Sequence, residues 1–304
     1  MVPGLPLIRA SDQHDRIRQW HLGAELITME NITNRTNAGA DRQWDLMRAS
    51  FDGDWLGMTT WYGRDAHGMD LNHGTCNPTG SLYAIRFSDA DTGEWHGTGL
   101  RFAPGRERRF PLNRHHYNLG NNCWHFPETA GQSSLEMGGS AARAGHEVNF
   151  FTGRSRSMLV ALYQRQADGR MILDSIAAIP FRCKRAHQDP VREQPESLDA
   201  LFMTVAGWPG VEQELRPGLS SELATQIKPL KPFNAESLCR HDVNGFFLDN
   251  LICSLPGCLP EGSFALHFGC LLDASSFVHL IIDYDENHQL IRWVERRYHP
   301  TMHG

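Results

Sequence analysis

The fold of this chain is decided by two similar segments, Met158-Leu-Val-Ala-Leu-Tyr-Gln-Arg-Gln-Ala-Asp-Gly-Arg-Met-Ile-Leu-Asp174 and Phe277-Val-His-Leu-Ile-Ile-Asp-Tyr-Asp-Glu-Asn-His-Gln-Leu-Ile-Arg-Trp293. They align without a gap at an offset of 119 residues, the separation of Met158 from Phe277. Each has an apolar run rich in β-branched or aromatic residues, a polar turn and a second apolar run, which is the pattern of a β-hairpin. A hairpin that recurs at the spacing of a small antiparallel unit predicts two β domains related by duplication.

The rest of the chain is also typical of antiparallel sheets. Segments such as Ser81–Ser88 alternate in polarity and are separated by turn signals such as Asp91-Thr-Gly93. A glycine turn leads into a strand over 53–62, and short helices are predicted at Asp41–Ser50 and Leu198–Trp208. Because no long helical periodicity intervenes, we expect an all-β fold of barrels or sandwiches.

The length of 304 residues fits two domains of about 100–200 residues each. The stretch from Lys184 to Ser197 is charged and contains two prolines, as is typical of a linker. We therefore predict a partly disordered N-terminal extension (1–41), a first β domain (42–185), a linker (186–197) and a second β domain (198–304).

Charge and cysteine usage restrict the partners and the compartment. A formal net charge of −6 and a pI near 6.2 give no electrostatic basis for nucleic-acid binding. The seven cysteines are odd in number and form no CxxC pair, so we expect reduced thiols in a cytoplasmic protein. No apolar run approaches the ~20 residues of a transmembrane segment.

Gly53-Asp54-Trp55 follows the first predicted helix and opens the first predicted strand. This G-x-W form occurs in lipocalin-like barrels, where the tryptophan plugs the closed end and often packs under a basic side chain from the final strand. We predict that Gly53 and Trp55 form such a barrel plug. An ordinary core tryptophan is the alternative, and it fits the same fold.

From this motif onward the chain resembles an uncharacterised, mainly cyanobacterial family of two-barrel calycins, related to the barrel-type bilin lyases. The resemblance includes Gly53–Trp55, Asn122-Cys-Trp-His-Phe126 and the closing stretch that begins at Leu255-Pro-Gly-Cys-Leu-Pro-Glu-Gly262. It covers roughly residues 42–300. It implies two consecutive antiparallel calycin (lipocalin-like) β-barrels, with a short helix at the start of each, and it indicates the fold more firmly than the function.

The sequence departs from the family pattern at the penultimate strand. His279 and Ile282 stand where the family carries arginines. If those arginines hold an anionic ligand in the family, this chain binds a different ligand or binds it more weakly.

Aromatic and cationic residues cluster in the loops and strands of the first predicted barrel. At a barrel mouth they suit a flat or elongated apolar ligand with an acid group, and core aromatics with a hydrated rim are the alternative. The predicted ligand-binding residues are Trp61, Tyr62, Arg114, His115, His116, Tyr117 and Trp124.

The motifs of metal and nucleophilic sites are missing from the sequence. The adjacent pair His115-His116 would face opposite sides of a strand, and no H-x-H or H-E-x-x-H spacing occurs, so we expect no metal site and no cofactor. Cys123 would be an activated thiol only if His125 lay near it, and an inert core thiol is the alternative. The candidate catalytic residues are His125 and Glu295, the latter as a general acid if an apolar cavity buries it.

Three functions follow. The first is a binding protein for a hydrophobic small molecule that can carry an acid group; the resemblance favours a pigment, with a tetrapyrrole or carotenoid as bound ligand. The second is an enzyme on the same scaffold, a chromophore lyase or isomerase or a cyclase, acting by confinement and hydrogen bonding. The third is an assembly factor whose barrels are plugged by their own side chains. A pigment-binding apoprotein or a second copy of the chain would be the protein partner.

Overall fold

The computed structural model describes residues 38–100, 108–114, 122–185, 192–218 and 226–301. In these residues the chain forms two α-helices and nineteen β-strands, and every strand pair is antiparallel. The predicted all-β fold of antiparallel strands, with a short helix before each sheet, is therefore confirmed. None of the helices in these residues is long and apolar enough to cross a membrane.

The helices are α1 (Ala38–Phe51) and α2 (Leu198–Val205), with 3-10 turns at Ala235–Ser237 and Leu248–Asn250. The strands of the first sheet are β1 (Gly53–Gly57), β2 (Thr60–Asp65), β3 (Gly68–Met69), β4 (Thr75–Cys76), β5 (Ser81–Phe87), β6 (Thr92–Thr98), β7 (Arg108–Asn113), β8 (Cys123–His125), β9 (Thr129–Ser133), β10 (Arg143–Thr152), β11 (Ser155–Arg165) and β12 (Met171–Cys183). Those of the second sheet are β13 (Gly210–Leu215), β14 (Lys228–Leu230), β15 (Val243–Phe247), β16 (Leu251–Leu255), β17 (Phe264–Asp273), β18 (Ser276–Tyr284) and β19 (Leu290–Tyr298).

The two sheets have equivalent strand orders. The first runs β7-β6-β5-β1-β12-β11-β10-β9-β8, with β2 paired to β12 and to the short strands β3 and β4. The second runs β14-β13-β19-β18-β17-β16-β15. In each sheet the strand that follows the helix pairs with the last strand, which pairs with the penultimate strand. This shared order agrees with the duplication expected from the sequence.

The repeated segments form the hairpins β11–β12 and β18–β19. Their turns, Gln166–Arg170 and Asp285–Gln289, are each closed by a hydrogen bond from the first backbone N–H to the last carbonyl oxygen, at 2.8 and 2.9 Å. Gly169 and His288, the fourth residues of the two turns, have φ of +87° and +57°. The two hairpins therefore match in turn geometry as well as in pattern.

The first sheet curls, and α1 packs at its edge. Tyr83 on β5 reaches Glu147 on β10, with 3.3 Å between its hydroxyl oxygen and Oε1. The side-chain amide of Gln43 in α1 pairs with the backbone of His125 in β8: the His125 N–H donates to Oε1 at 2.6 Å and Nε2 donates to the carbonyl at 2.9 Å. The glutamine thus supplies the pairing that a neighbouring strand would give.

The convex face of the first sheet packs against the second sheet. Val148 and Leu159 from the first sheet join Leu280 and other buried residues of β15–β19 in one hydrophobic cluster, termed the shared core. At its centre Trp124 stacks on Trp293 with ring centroids 6.2 Å apart. The two sheets thus share one hydrophobic core. The predicted linker at 186–197, and with it the division into two domains, stays a prediction.

A buried ion pair also connects the halves. Asp249, between β15 and β16, binds Arg182 of β12 through Nη2–Oδ1 at 2.6 Å and accepts a hydrogen bond from the Ser157 hydroxyl of β11. Arg192 donates to the Asp249 carbonyl at 3.2 Å. Despite its burial, the pKa of the Asp249 carboxyl is lowered, because both arginines and the Ser157 hydroxyl stabilise its charged form.

The predicted strand over 53–62 is two strands, β1 and β2, and this part of the prediction was wrong. The break falls at Met58, which the register places opposite Pro180 of β12. Proline has no backbone N–H to donate, so the ladder is weakened there. Two further strands, β13 and β14, lie in the proline- and glycine-rich stretch 209–237, where the sequence favours strands only weakly.

Candidate functional site

The register of the first sheet separates its two faces. Val148 and Leu159 point into the shared core, so their neighbours Glu147 and Val160 point to the concave face. Cross-strand partners stand on the same face. We term the concave face the inner face. The cross-strand partners that share this face with Glu147 form one row across the sheet: Cys123, Gln132, Glu147, Val160, Ala177 and Trp61.

Trp55 lies at one end of the inner face, termed the closed end. Its ring is fully buried, and its indole N–H donates to the Phe51 carbonyl at 2.8 Å. The Arg154 guanidinium carbon lies 4.7 Å from the ring centroid, a cation–π distance. Gly53 has φ of +147°, and a Cβ there would lie 2.5 Å from Arg154 Nη2. The basic side chain comes from the β10–β11 turn rather than from the final strand β12.

Arg156 fills the space next to this plug. Its guanidinium carbon lies 4.0 Å from the ring centroid of Tyr83 and 4.4 Å from that of Phe181. The rings of Phe51 and Trp55 follow at 5.2 and 5.3 Å. Rings on several sides stabilise a buried cation electrostatically. The closed end is thus occupied by the chain's own side chains.

A polar group lies midway along the inner face. Asn149 Nδ2 donates to Glu147 Oε1 at 3.0 Å and lies 3.4 Å from the Ala130 carbonyl oxygen. Tyr83 donates to the same Oε1, and burial raises the pKa of its hydroxyl well above its usual value, with the Glu147 charge as the next cause. Asn149 Oδ1 is buried and accepts no hydrogen bond from the residues that the structure describes.

The opposite end of the inner face is more accessible. Arg156 and Asn149 are fully buried, whereas Trp61, Gln132 and Leu162 are half-buried. Exposure therefore increases along the strands away from Trp55. The more exposed end, which carries Trp61 and Leu162, is termed the mouth; Glu147 lies in the row of Trp61, and Asn149 lies one inner-face row closer to Trp55.

His125 and Cys123 also lie on the inner face, two residues apart on β8. Burial lowers the pKa of His125 to about 3, so its ring is neutral near neutral pH. The ring lies edge-on to Phe51, with centroids 5.4 Å apart. Cys123 is buried next to the same interior. Their catalytic roles stay predictions.

The structure brings only part of the predicted ligand-binding set to the inner face. Trp61 faces the interior, but Tyr62 faces the other side and contacts Phe247 at 4.9 Å between centroids. Trp124 lies in the shared core. His115, His116 and Tyr117 lie outside the described residues.

Arg114 lies at the rim of the first sheet and forms two ion pairs. Its Nη1 is 2.7 Å from Asp41 Oδ1, and its Nε is 2.9 Å from Asp91 Oδ1. It therefore links α1 to the β5–β6 turn. A ligand carboxylate would have to compete with both aspartates for this guanidinium.

Glu295 is fully buried between the two sheets. Thr129 of β9 donates to its Oε2 at 2.6 Å, and Arg297 Nε lies 3.4 Å from Oε1. Burial raises the pKa of Glu295 to about 8, with a further increase from Glu128. The group packs between the sheets and does not lie on the inner face, so its role as a general acid stays a prediction.

The face of the second sheet that points away from the shared core carries a histidine pair. His267 Nδ1 and His279 Nε2 are 3.0 Å apart, and burial lowers the pKa of His267 to about 3 and that of His279 well below its usual value. Both rings are therefore neutral near neutral pH. Ile282, the other departure from the family pattern, lies in the shared core.

An open groove of about 350 Å³ lies at the end of the second sheet. Phe264 and Tyr284 stack in its wall with nearly parallel rings. Its arginines are already paired: Arg292 contacts Asp283 at 2.6 Å and Glu214 at 3.0 Å. No group of three metal-ligating side chains occurs among the described residues.

Sequence reasoning missed Glu147, Asn149 and Arg156. A usable signal was present, because Glu147 and Asn149 alternate with Val148 and Phe150 in an otherwise apolar strand. Period-two alternation places such polar residues together on one face. The arginine between Ser155 and Ser157 looks like a surface residue in the sequence, and only the fold shows that rings enclose it.

Comparisons with known proteins support the fold. No protein-family model matches the chain, and no curated protein sequence matches it. A solved structure of a DUF3598-family protein of unknown function from Nostoc punctiforme is similar, with a TM-score of 0.58 and 12% identity, over 85% of this chain and 99% of that protein. An S-type phycobiliprotein lyase from Guillardia theta matches over 51% of this chain and 100% of its own, at 9% identity and a TM-score of 0.28, which is too low to support inference. At the level of fold, this chain is thus similar to the Nostoc protein over most of its length.

Proposed function

We propose that the protein binds a flat, hydrophobic small molecule on the inner face of the first sheet, with a tetrapyrrole or carotenoid pigment as the preferred class. The observation that carries this proposal is the exposure gradient. Trp55 closes one end, half-buried Trp61 and Leu162 border the other, and buried polar groups lie between them. Small-molecule sites combine a concave apolar lining with a few placed polar groups in this way.

The pigment class is supported by the resemblance of the sequence to calycins related to bilin lyases. The side chains around the interior suit such a ligand, because Trp61, Val160 and Leu162 offer an apolar surface and Glu147 a polar anchor. Flat conjugated molecules bury a large apolar area, worth roughly 25 cal/mol per Å².

Titration of the full chain with biliverdin and with β-carotene in detergent tests the proposal, with tryptophan fluorescence and visible absorbance as readouts. Binding should quench fluorescence and shift the pigment band. Trp61→Phe should remove part of the quenching and weaken binding, whereas Trp208→Phe, at a half-buried tryptophan next to the second sheet, should change neither. A chain that takes up neither pigment contradicts the proposal.

An assembly factor with plugged barrels is the second candidate. The observation in its favour is the closed end, where Arg156 is surrounded by Phe51, Trp55, Tyr83 and Phe181. If the filling continues to the mouth, neither pigment will bind and Trp61→Phe will leave the fluorescence response to both pigments unchanged. The enzyme hypothesis gains no support from Glu295, which is buried between the sheets away from the mouth.

A further inference from the structure

We infer that the inner face of the first sheet recognises its ligand through hydrogen-bond donors, so that the bound molecule presents N–H groups to Glu147 and Asn149. This inference rests on the proposed function and names the chemistry of its ligand. The sequence analysis allowed the ligand an acid group; here N–H donors take its place at the centre of the site.

The directions of the hydrogen bonds show which atoms of this polar group remain available to a ligand. A carboxylate accepts only, so Asn149 must turn its Nδ2 donors toward Glu147 Oε1, which fixes Oδ1 as the remaining amide atom. Oδ1 is fully buried and accepts no hydrogen bond from the described residues. An unsatisfied buried acceptor carries a free-energy cost. A donor supplied from the interior would recover that cost.

The two neighbouring side chains, Tyr83 and Arg156, are an acceptor and a cation that already stacks on aromatic rings. Tyr83 donates its hydroxyl proton to Glu147 Oε1 and keeps an oxygen that can accept. The nearby cation, Arg156, is stacked among rings at the closed end. Glu147 and Tyr83, together with the Asn149 amide oxygen, thus offer negative charge and lone pairs to the interior.

A ligand carboxylate is disfavoured at this position. It would meet the Glu147 carboxylate in a water-poor interior, where like charges repel far more strongly than in water. Arg114, the cation expected to receive an acid group, is held by Asp41 and Asp91 at the rim. An acid group would therefore have to remain in solvent beyond the mouth.

The ligand class that meets both requirements is a flat aromatic molecule with ring N–H or aryl-amine donors. Its apolar surface would contact Trp61, Val160 and Leu162, and its N–H groups would point to Glu147 and Asn149. Between the two pigment classes, a tetrapyrrole has such donors, whereas a hydrocarbon carotenoid has none. The inference therefore favours the tetrapyrrole.

Three probes of nearly equal shape test this on the full chain near neutral pH: aminoanthracene, methylanthracene and anthracene carboxylate. Fluorescence titration should give the amine about 10-fold tighter binding than the hydrocarbon, because only the amine can donate hydrogen bonds to the Glu147 carboxylate and to Asn149 Oδ1. The carboxylate should bind most weakly. Glu147→Gln, which keeps the volume and removes the charge, should reduce the preference for the amine and improve carboxylate binding.

Glu94→Gln is the matched control, since Glu94 is an exposed glutamate on β6 that pairs with Arg109. It should leave all three affinities unchanged, and thermal melts of both variants should show that each is folded. Equal affinity for amine and hydrocarbon would overturn the inference and would mean that water satisfies the acceptors. Tightest binding of the carboxylate would also overturn it. Failure of all three probes would contradict the proposed function itself, and the inference with it.

Discussion

The hydroxyl of Ser133 is shared by two tryptophans at the centre of the shared core. The indole N–H of Trp124 donates to its Oγ at 3.1 Å and that of Trp293 at 2.9 Å. All three side chains are buried, so no water replaces this acceptor. One oxygen atom thus satisfies a donor from each sheet.

Ser133→Ala should lower the free energy of unfolding by about 2–4 kcal/mol, because two buried N–H donors lose their acceptor at once. Chemical denaturation followed by tryptophan fluorescence measures the change. Ser275→Ala, at an exposed turn hydroxyl, should cost less than about 1 kcal/mol. Equal effects of the two substitutions would show that the indoles find other acceptors.

Glu295 makes stability depend on pH. Its pKa is raised from 4.5 to about 8, so the folded state holds a proton that the unfolded state releases. The stabilisation is complete below the unfolded pKa and is lost as pH rises toward the folded pKa. Between about pH 5 and pH 8 the wild type should therefore lose roughly 2–4 kcal/mol from this group.

Glu295→Gln keeps an acceptor for Thr129 but cannot ionise, so it should be more stable than the wild type at pH 8 and similar at pH 5. Urea unfolding across this range measures the difference. Burial also raises the pKa of Glu128. Because Glu128 is present in both proteins, its titration does not contribute to the difference between their stability curves. Glu286→Gln, in an exposed turn, should follow the wild-type curve. Parallel curves for wild type and Glu295→Gln would contradict the assignment.

The two matched hairpins require a left-handed residue at the same place. Gly169 meets this requirement without strain, whereas His288 adopts φ of +57° with a side chain. Gly169→Ala should therefore cost about 1 kcal/mol, since no atom within 4 Å would contact the new methyl group and only the backbone conformation is penalised. Gly63→Ala is the control, because Gly63 has equal space and no positive φ. Thermal denaturation compares them, and equal melting temperatures would contradict the argument.

The hairpins were predictable because both signals, apolar runs and a polar turn, are local. Strand β13 was not, since its Gly210-Val-Glu-Gln-Glu-Leu215 sequence carries little apolar content and its pairing with β19 makes it a strand. The break at Met58 was hidden because its cause, Pro180, lies in a distant strand. In each of these cases tertiary pairing decided what the local pattern left open.

The candidate site was predicted less well than the fold. Trp61 and Tyr62 are adjacent, and a shift of one residue in register would exchange their faces. The pairing of Trp61 with Ala177 places Trp61 inside and Tyr62 outside. The sequence carried no information on this register. The same uncertainty made Trp124, at the centre of the shared core, look like a ligand contact.

The shared core should make the two sheets unfold together. Leu266 and Leu280 of the second sheet pack with Val148 and Leu159 of the first, so separation would expose apolar surface on both. We expect one denaturation transition reported alike by circular dichroism and tryptophan fluorescence. A fragment of residues 198–304 should fail to fold alone and should bind a hydrophobic dye. Two separate transitions, or a folded monomeric fragment, would show that the halves are independent.

The Gln43 amide that pairs with β8 also protects the molecule from self-association. Among the described strands the first sheet ends at β8, and an unpaired strand edge offers its backbone to any other extended chain. Because α1 supplies both a donor and an acceptor to His125, this edge is blocked by a side chain of the same molecule. Without the helix, the edge of β8 could pair with strands of other copies of the chain. We then expect fibrous aggregation under conditions where the sheets themselves remain folded.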